Sequence, residues 1–166
     1  RILILDELDK YKNPKNEASS ESLAEKRTTT WRTRRKVVKI STPTTEDGPI
    51  WKALTEEAGA RFDFWVRCPH CGFFQHMDFE RIAWPGKDEE KSPDAETVLA
   101  KRLAYYACEH CGAVWDDGDR DRAVRGGEWR ERTSGLELMA HATVHRPVKV
   151  GFHIPAWLSY FVSLSE

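Results

Sequence analysis

Arg1-Ile2-Leu3-Ile4-Leu5-Asp6-Glu7 opens the chain, an unbroken apolar run that ends in two acids. Consecutive aliphatic side chains without polar alternation suit a parallel strand buried on both faces, and in open α/β sheets the carboxyl ends of such strands face the ligand crevice. The run therefore predicts a buried parallel strand that delivers Asp6 and Glu7 to a binding edge. Downstream, Ala18 to Arg32 reads as a helix and Lys36-Val37-Val38-Lys39-Ile40 as a second strand. Strand, helix and strand make a β-α-β unit and an α/β fold.

Carboxylates at a strand end suit a metal-bound nucleotide. In P-loop ATPases an Asp in this place, the Walker B acid, holds Mg²⁺, while the phosphates lie on the glycine-rich loop of a neighbouring strand. Asp6 is the candidate for that role, and Glu7 the candidate general base for the water that attacks the γ-phosphate of ATP. The hydroxyls of Ser41, Thr42 and Thr44 in Ser41-Thr42-Pro43-Thr44 follow the second strand. They are placed to hydrogen-bond the γ-phosphate surroundings or the Asp6–Glu7 pair, and equally to form a Ser/Thr-Pro turn that caps a helix holding Ile50, Trp51 and Leu54.

The four cysteines fall as Cys68-Pro69-His70-Cys71-Gly72 and Cys108-Glu109-His110-Cys111-Gly112, two identical spacings with 36 residues between Cys71 and Cys108. A two-residue gap lets one tight turn present two sulfurs to one ion, and Zn²⁺ takes four thiolates in a tetrahedron. Gly72 and Gly112 stand where a positive φ turns backbone N–H groups toward the sulfurs. His70 and His110 are read as bystanders, since four cysteines already fill the shell. Phe62, Phe64 and Val66 alternate ahead of the first pair, and Leu103, Tyr105 and Ala107 precede the second, which predicts strands and a zinc-ribbon pattern. A closed four-thiolate shell leaves no open position, so this Zn²⁺ is read as structural.

Composition narrows the rest. Twenty-six basic side chains against 27 acidic ones give a net charge of −1, so affinity for a polyanion must come from local charge. The local candidate runs from Lys26 to Lys39, with seven basic residues and no acid; Arg32, Arg34 and Arg35 could face a phosphate backbone in a sequence-independent way. No apolar run approaches the roughly 18 residues of a membrane span. Residues 86–96 read as a solvated loop and Asp116 to Asp121 as a turn and helix cap. Trp65, Trp84 and Trp115 could stack on bases but are expected to supply buried area. Arg1 in place of Met and an apolar far end read as cuts, so the chain is expected to be a piece of something longer.

The ordered series Leu3 to Glu7, Asp9-Lys10-Tyr11, Ser41-Thr42-Pro43-Thr44, the two cysteine pairs and Gly151-Phe152-His153-Ile154 resembles the large terminase subunit of lambda-like tailed phages, the gpA type. The resemblance implies an ATP-driven motor that packages double-stranded DNA in the host-cell cytoplasm, works with a small terminase subunit and a portal, and carries an endonuclease elsewhere in the full chain. It matches Asp6 and Glu7 to the Walker B acids and Ser41 to Thr44 to the segment that couples hydrolysis to movement. It divides the chain into the later part of a P-loop ATPase core (1–60), a zinc-ribbon-like insertion (61–135) and a return strand with the start of a link toward the nuclease (136–166). No G-x-x-x-x-G-K-[ST] loop occurs in the 166 residues, so this piece alone is expected not to hydrolyse ATP. Two other readings are a DExD-box helicase fragment, with Asp6-Glu7-Leu8-Asp9 as its box, and a non-enzymatic zinc-ribbon module that grips nucleic acid.

Overall fold

The structure is a computed structural model of the 166-residue chain that describes every residue except 13–17, Arg32 and Glu90. The chain is mixed α/β and separates into two compact units, Arg1–Gly59 and Ala60–Glu166.

In the first unit, strand β1 (Ile2–Leu5) pairs in parallel with β2 (Lys36–Lys39), Ile2 opposite Lys36 and Leu5 opposite Lys39. Helix α1 (Ser20–Lys26) lies between them in sequence, so the β-α-β order read from the sequence is present. The ladder continues past β1, since the Ile40 N–H donates to the Leu5 carbonyl (2.9 Å) and the Leu8 N–H to the Ile40 carbonyl (3.2 Å).

Helix α1 starts where Ser19 accepts the Ser22 N–H (3.1 Å) and stops at Lys26, well short of the expected Arg32. Thr28 and Thr29 explain the early stop. Their hydroxyls donate to the carbonyls of Glu25 and Lys26 (2.7 Å each), which takes up acceptors at the helix end and offers the chain a turn instead. A one-turn 3-10 segment, Thr29–Trp31, follows.

The expectation that β1 is buried on both faces is corrected. The Lys39 ammonium reaches Glu21 (2.6 Å) and Glu25 (3.6 Å) of α1, and strand alternation places Leu3, Leu5 and Val37 on that covered face. Ile2, Ile4, Val38 and Ile40 point the other way and are exposed, because among the described residues this sheet has two strands and one flanking helix.

The second unit is built on β3 (Ala60–Arg67). It pairs antiparallel with β4 (Phe74–His76) and β8 (Glu128–Glu131), and its first half pairs in parallel with β9 (Val150–Phe152). A separate antiparallel sheet runs β5 (Ile82–Ala83), β6 (Tyr105–Ala107), β7 (Val114–Trp115). The expected alternation on β3 is present: Phe62 and Val66 are buried, with half-buried Phe64 packed against the core. Val66, Met77, Ile82, Tyr106, Trp115, Val124, Leu158 and Leu164 form one core with Cys68 and Cys108. Each such side chain contributes roughly 1.5–3 kcal/mol through burial. Trp115 is fully buried, as expected, whereas Trp65 and Trp84 are only half-buried.

Two helices were not legible beforehand, and a third was visible only through its cap. Helix α3 (Ala95–Lys101) begins inside the acidic stretch read as loop, with the Asp94 carboxylate accepting the Thr97 N–H (2.7 Å). Helix α4 (Asp117–Arg125) is capped by Asp116, in the turn read as a cap, through the Asp119 N–H (2.8 Å). Helix α5 (Leu138–His145) buries His141 and exposes Met139 and Val144, so no apolar stripe of helical period marks it. No helix among the described residues is long and apolar enough to cross a membrane.

The carboxyl-terminal stretch is tied to α4 by Arg120, which is 1% exposed. Its guanidinium donates to the carbonyls of Trp157 and Val162 (2.9 Å each), while its Nε donates to Asp121 (2.7 Å). Asp117 completes the tie by accepting from the Ser163 hydroxyl (2.9 Å) and the Leu164 N–H (2.8 Å). Replacing Arg120 by Ala leaves two carbonyls without their donor and opens a cavity. Denaturant unfolding of Arg120→Ala should show a loss of about 3 kcal/mol; an unchanged midpoint would mean that this tie is not what holds the segment.

Candidate metal centre and acidic strand end

Cys68 and Cys71 sit in the turn between β3 and β4, and Cys108 and Cys111 in the turn between β6 and β7. The two turns share one geometry. The Cys68 N–H donates to the Phe73 carbonyl (2.8 Å) and the Cys108 N–H to the Ala113 carbonyl (3.0 Å), while the Gly72 and Gly112 N–H groups donate to the carbonyls of Cys68 and Cys108. Gly72 (φ 72°) and Gly112 (φ 69°) hold the left-handed conformation that closes each turn. In the first turn the N–H groups of His70 and Cys71 point at the Cys68 sulfur (3.4 Å each).

The four sulfurs lie within 4.8 Å of one another, with Cys68–Cys111 and Cys71–Cys108 both at 3.9 Å. A tetrahedral ion with metal–sulfur bonds of 2.3 Å needs an edge of roughly 3.8 Å, so the set fits such an ion with little adjustment. Crowding four thiols shapes their acidity. Desolvation opposes ionisation of Cys68, but the N–H groups of Cys71 and His70 and the neighbouring thiols outweigh it and lower its pKa to about 6. For Cys71 the Phe73 N–H favours the thiolate, yet desolvation and the other three thiols prevail and push it up to about 12. Cys68 ionises readily while Cys71 and Cys108 resist, a conflict that a divalent cation at the centre would remove.

The histidines stand aside from the sulfurs. His70 Nε2 lies 3.3 Å from the Asp119 carboxylate, and His110 stacks on Phe73 with ring centroids 4.7 Å apart. Sequence reading missed Gln75, a fully buried residue on β4. Its Oε1 accepts the Glu109 N–H (3.0 Å) and lies 3.6 Å from the Cys108 sulfur, so it joins the first hairpin to the second cysteine turn.

In the first unit, Asp6 and Glu7 emerge at the carboxyl end of β1 and are exposed. The Asp6 carboxylate accepts the Glu7 N–H (3.0 Å), and Glu7 adopts a left-handed conformation, φ 54° and ψ 42°. Glu7 is ion-paired with Lys10 at 2.7 Å, and its hydrogen bond and charge raise the Lys10 pKa. Both partners remain solvent-exposed, so the pair is weak and exchangeable.

Of the hydroxyls after β2, those of Ser41 and Thr44 meet Asp9. None is bonded to Asp6 or Glu7; Ser41 Oγ accepts the Asp9 N–H (3.1 Å), and the Thr44 N–H (3.0 Å) and hydroxyl (3.3 Å) donate to the Asp9 carboxylate. Thr42 contributes its carbonyl, which accepts from the Ser41 hydroxyl (3.2 Å). Helix α2 (Pro49–Lys52), followed by a π turn over Ala53–Glu57, has Gly48 at its N-cap. The donor at its start, the Ile50 N–H, is taken by Asp9 Oδ1 (2.8 Å) rather than by a Ser or Thr of the preceding turn. Asp9, prominent in sequence only as part of a motif, is thus the hub of this corner. Burial opposes its ionisation, but the N–H groups of Ile50 and Thr44 with the Thr44 hydroxyl outweigh it and hold the carboxyl below its usual range.

The basic stretch is partly spent inside the unit. The Arg35 guanidinium donates to the Glu25 carbonyl (3.2 Å) and the Thr28 hydroxyl (3.1 Å), closing the end of α1. Lys39 faces Glu21, Glu25 and Glu57, whereas Arg34 is exposed. Arg32 lies outside the described residues.

Fold and site together define a mixed α/β chain that joins an acid-ended parallel strand to a four-cysteine cluster suited to a metal ion. Residues 1–129 match the family model described as phage terminase large subunit gpA, ATPase domain, and the chain belongs to that family. It is 27% identical over 172 aligned residues to the terminase large subunit of Enterobacteria phage P21, an alignment that takes in 96% of this chain and 24% of that protein. The chain therefore spans about a quarter of the length of that relative. No solved structure matches it. Family membership sets aside the helicase fragment and the stand-alone nucleic-acid-binding module.

The metal centre predicts one tightly held ion per chain in chelator-free protein, measured by elemental analysis. Because only thiolates bind, acidification should release the ion, and Cys68→Ser with Cys108→Ser should abolish it. Ion-free protein with wild-type stability would count against the centre.

Proposed function

We propose that this chain carries the Walker B half of the ATPase of a phage or prophage DNA-packaging motor, together with a zinc-stabilised insertion. The carrying observation is the position of Asp6 and Glu7 at the exposed carboxyl end of β1, beside β2 in a parallel pair, in a chain of the terminase ATPase family. That edge is where α/β sheets of this kind take their ligands.

Magnesium-bound ATP supplies the phosphoanhydride whose hydrolysis drives movement. Asp6 is the residue that would hold the ion, and its place at a strand end with an exposed carboxylate fits that use. Glu7 would take the proton of the attacking water once Lys10 is displaced. Ser41, Thr42 and Thr44 form the coupling segment, acting through Asp9. Cys68, Cys71, Cys108 and Cys111 hold structural Zn²⁺, which the all-sulfur tetrahedral donor set favours over harder cations.

The domain reading follows: ATPase core over 1–60, zinc-ribbon-like insertion over 61–135, and a returning segment over 136–166. Double-stranded DNA is the motor's substrate, with Arg34 among the exposed basic residues of the Lys26–Lys39 stretch. The small terminase subunit and the portal are its partners in the host cytoplasm. The endonuclease and the glycine-rich phosphate loop belong to other parts of the full protein, so the 166 residues alone are inactive.

In the full-length protein, Glu7→Gln should bind ATP as the wild type does while turnover falls roughly 100-fold or more. ATP binding by equilibrium titration and hydrolysis by phosphate release check this. Packaging at a near-normal rate by the variant would refute the role of Glu7 and, with it, this placement of the catalytic edge.

A further inference from the structure

Among the described residues, three other than glycine have positive φ: Glu7, Arg102 and Arg146. Arg102 and Arg146 close helices α3 and α5, where a left-handed residue is common. Glu7 follows a strand, and no such habit explains it. A left-handed non-glycine residue persists where its surroundings over-determine it. Those surroundings are visible. Leu5, on one side, and Leu8, on the other, are buried and bound to the two backbone groups of one residue at the end of β2, the Ile40 N–H and the Ile40 carbonyl.

One residue further on, Asp9 uses every hydrogen-bonding group that faces the neighbouring loop. Its N–H goes to Ser41, its Oδ2 takes both donors of Thr44, and its Oδ1 takes the Ile50 N–H. These partners lie 32, 35 and 41 residues away in sequence, so one residue holds three distant points, Ser41 through its N–H and Thr44 and Ile50 through its carboxylate. The packing around it has no slack. A Cβ on Gly48 would fall 2.4 Å from Asp9 Oδ2 and 3.0 Å from the Thr45 carbonyl, so the loop closes on the carboxylate only because residue 48 lacks a side chain.

We infer that Asp9 is a positioning residue that clasps the Ser41–Thr44 loop to the Glu7 turn, so that any movement of Glu7 is carried to the loop and any movement of the loop to Glu7. The linkage is short and stiff. Glu7 and Asp9 flank one buried leucine whose N–H is held by the Ile40 carbonyl, and a rotation that relaxes Glu7 from its left-handed state re-aims the Asp9 carboxylate. Asp9 does not touch the reacting atoms; it acts through Glu7 and the loop.

The inference rests on the proposed ATPase reading, and the test separates the two. Full-length wild type, Glu7→Gln, Asp9→Asn, Gly48→Ala and the Asp9→Asn/Gly48→Ala double variant are compared for kcat and KM in ATP hydrolysis and for DNA translocated per ATP. Asp9→Asn removes one acceptor at nearly constant size, and Gly48→Ala displaces the carboxylate without touching its charge. Both should lower kcat roughly ten- to a hundredfold with KM within about twofold, and both should lower the DNA moved per ATP. The double variant should be no worse than the poorer single one, because both break the same clasp.

Wild-type kcat and coupling in both single variants, or a purely additive double variant, overturns the inference while leaving the ATPase reading intact. If Asp9→Asn loses nucleotide binding together with turnover, Gly48→Ala decides. Retained KM with lowered kcat supports the clasp, and wild-type values or joint loss of both overturn it. A wild type without ATPase activity, or normal turnover by Glu7→Gln, removes the functional reading itself.

Discussion

Four sulfur atoms cannot remain within 4.8 Å of one another as thiolates unless a cation sits among them. That constraint organises the second unit. The β3–β4 turn contributes two of the sulfurs and the β6–β7 turn the other two, and these turns belong to different sheets. Cys68 and Cys108 are also part of the apolar core, between Val66, Tyr106 and Trp115. A metal held at that centre would make ion and packed core one device, fixing the two turns and with them which side chains of the two sheets meet. Gln75 adds a polar tie at the same junction, where a lone apolar contact would leave the Glu109 N–H without a partner.

The first unit is governed by hydrogen bonding more than by burial. Its sheet covers one face, and Leu5 and Leu8 are its buried large side chains among the described residues. What holds the acid-bearing turn is the extended strand line through Ile40 and the carboxylate of Asp9. Charge-assisted hydrogen bonds are directional, so they set the direction in which Asp6 and Glu7 project in a way that packing of four aliphatic side chains could not. The same logic appears at Lys39, an ammonium on the covered face. Desolvation opposes its charge, but the hydrogen bond and charge of Glu21, with the charges of Glu57 and Glu25, prevail and raise its pKa.

The two candidate sites also differ in what they ask of the chain. The cysteine cluster is closed, with every donor directed inward, and suits stability rather than chemistry. The strand end is open, with exposed carboxylates and an exchangeable ion pair, and suits chemistry that a ligand completes.

The sequence by itself determined the β-α-β order, the pairing of four cysteines into one cluster, the left-handed glycines after each pair, and the inward alternation of Phe62, Phe64 and Val66. Each of these is set by local spacing or by the geometry of one residue type, and both survive any arrangement of the rest. Only the tertiary structure decided where the hydroxyls of Ser41 and Thr44 go, that α1 ends at Lys26, that Arg35 and Lys39 are engaged internally, and that Asp9 and Gln75 are hubs. Those outcomes depend on partners tens of residues apart, and a polar side chain's choice among competing donors and acceptors is made by the approach of distant backbone, which no local pattern encodes.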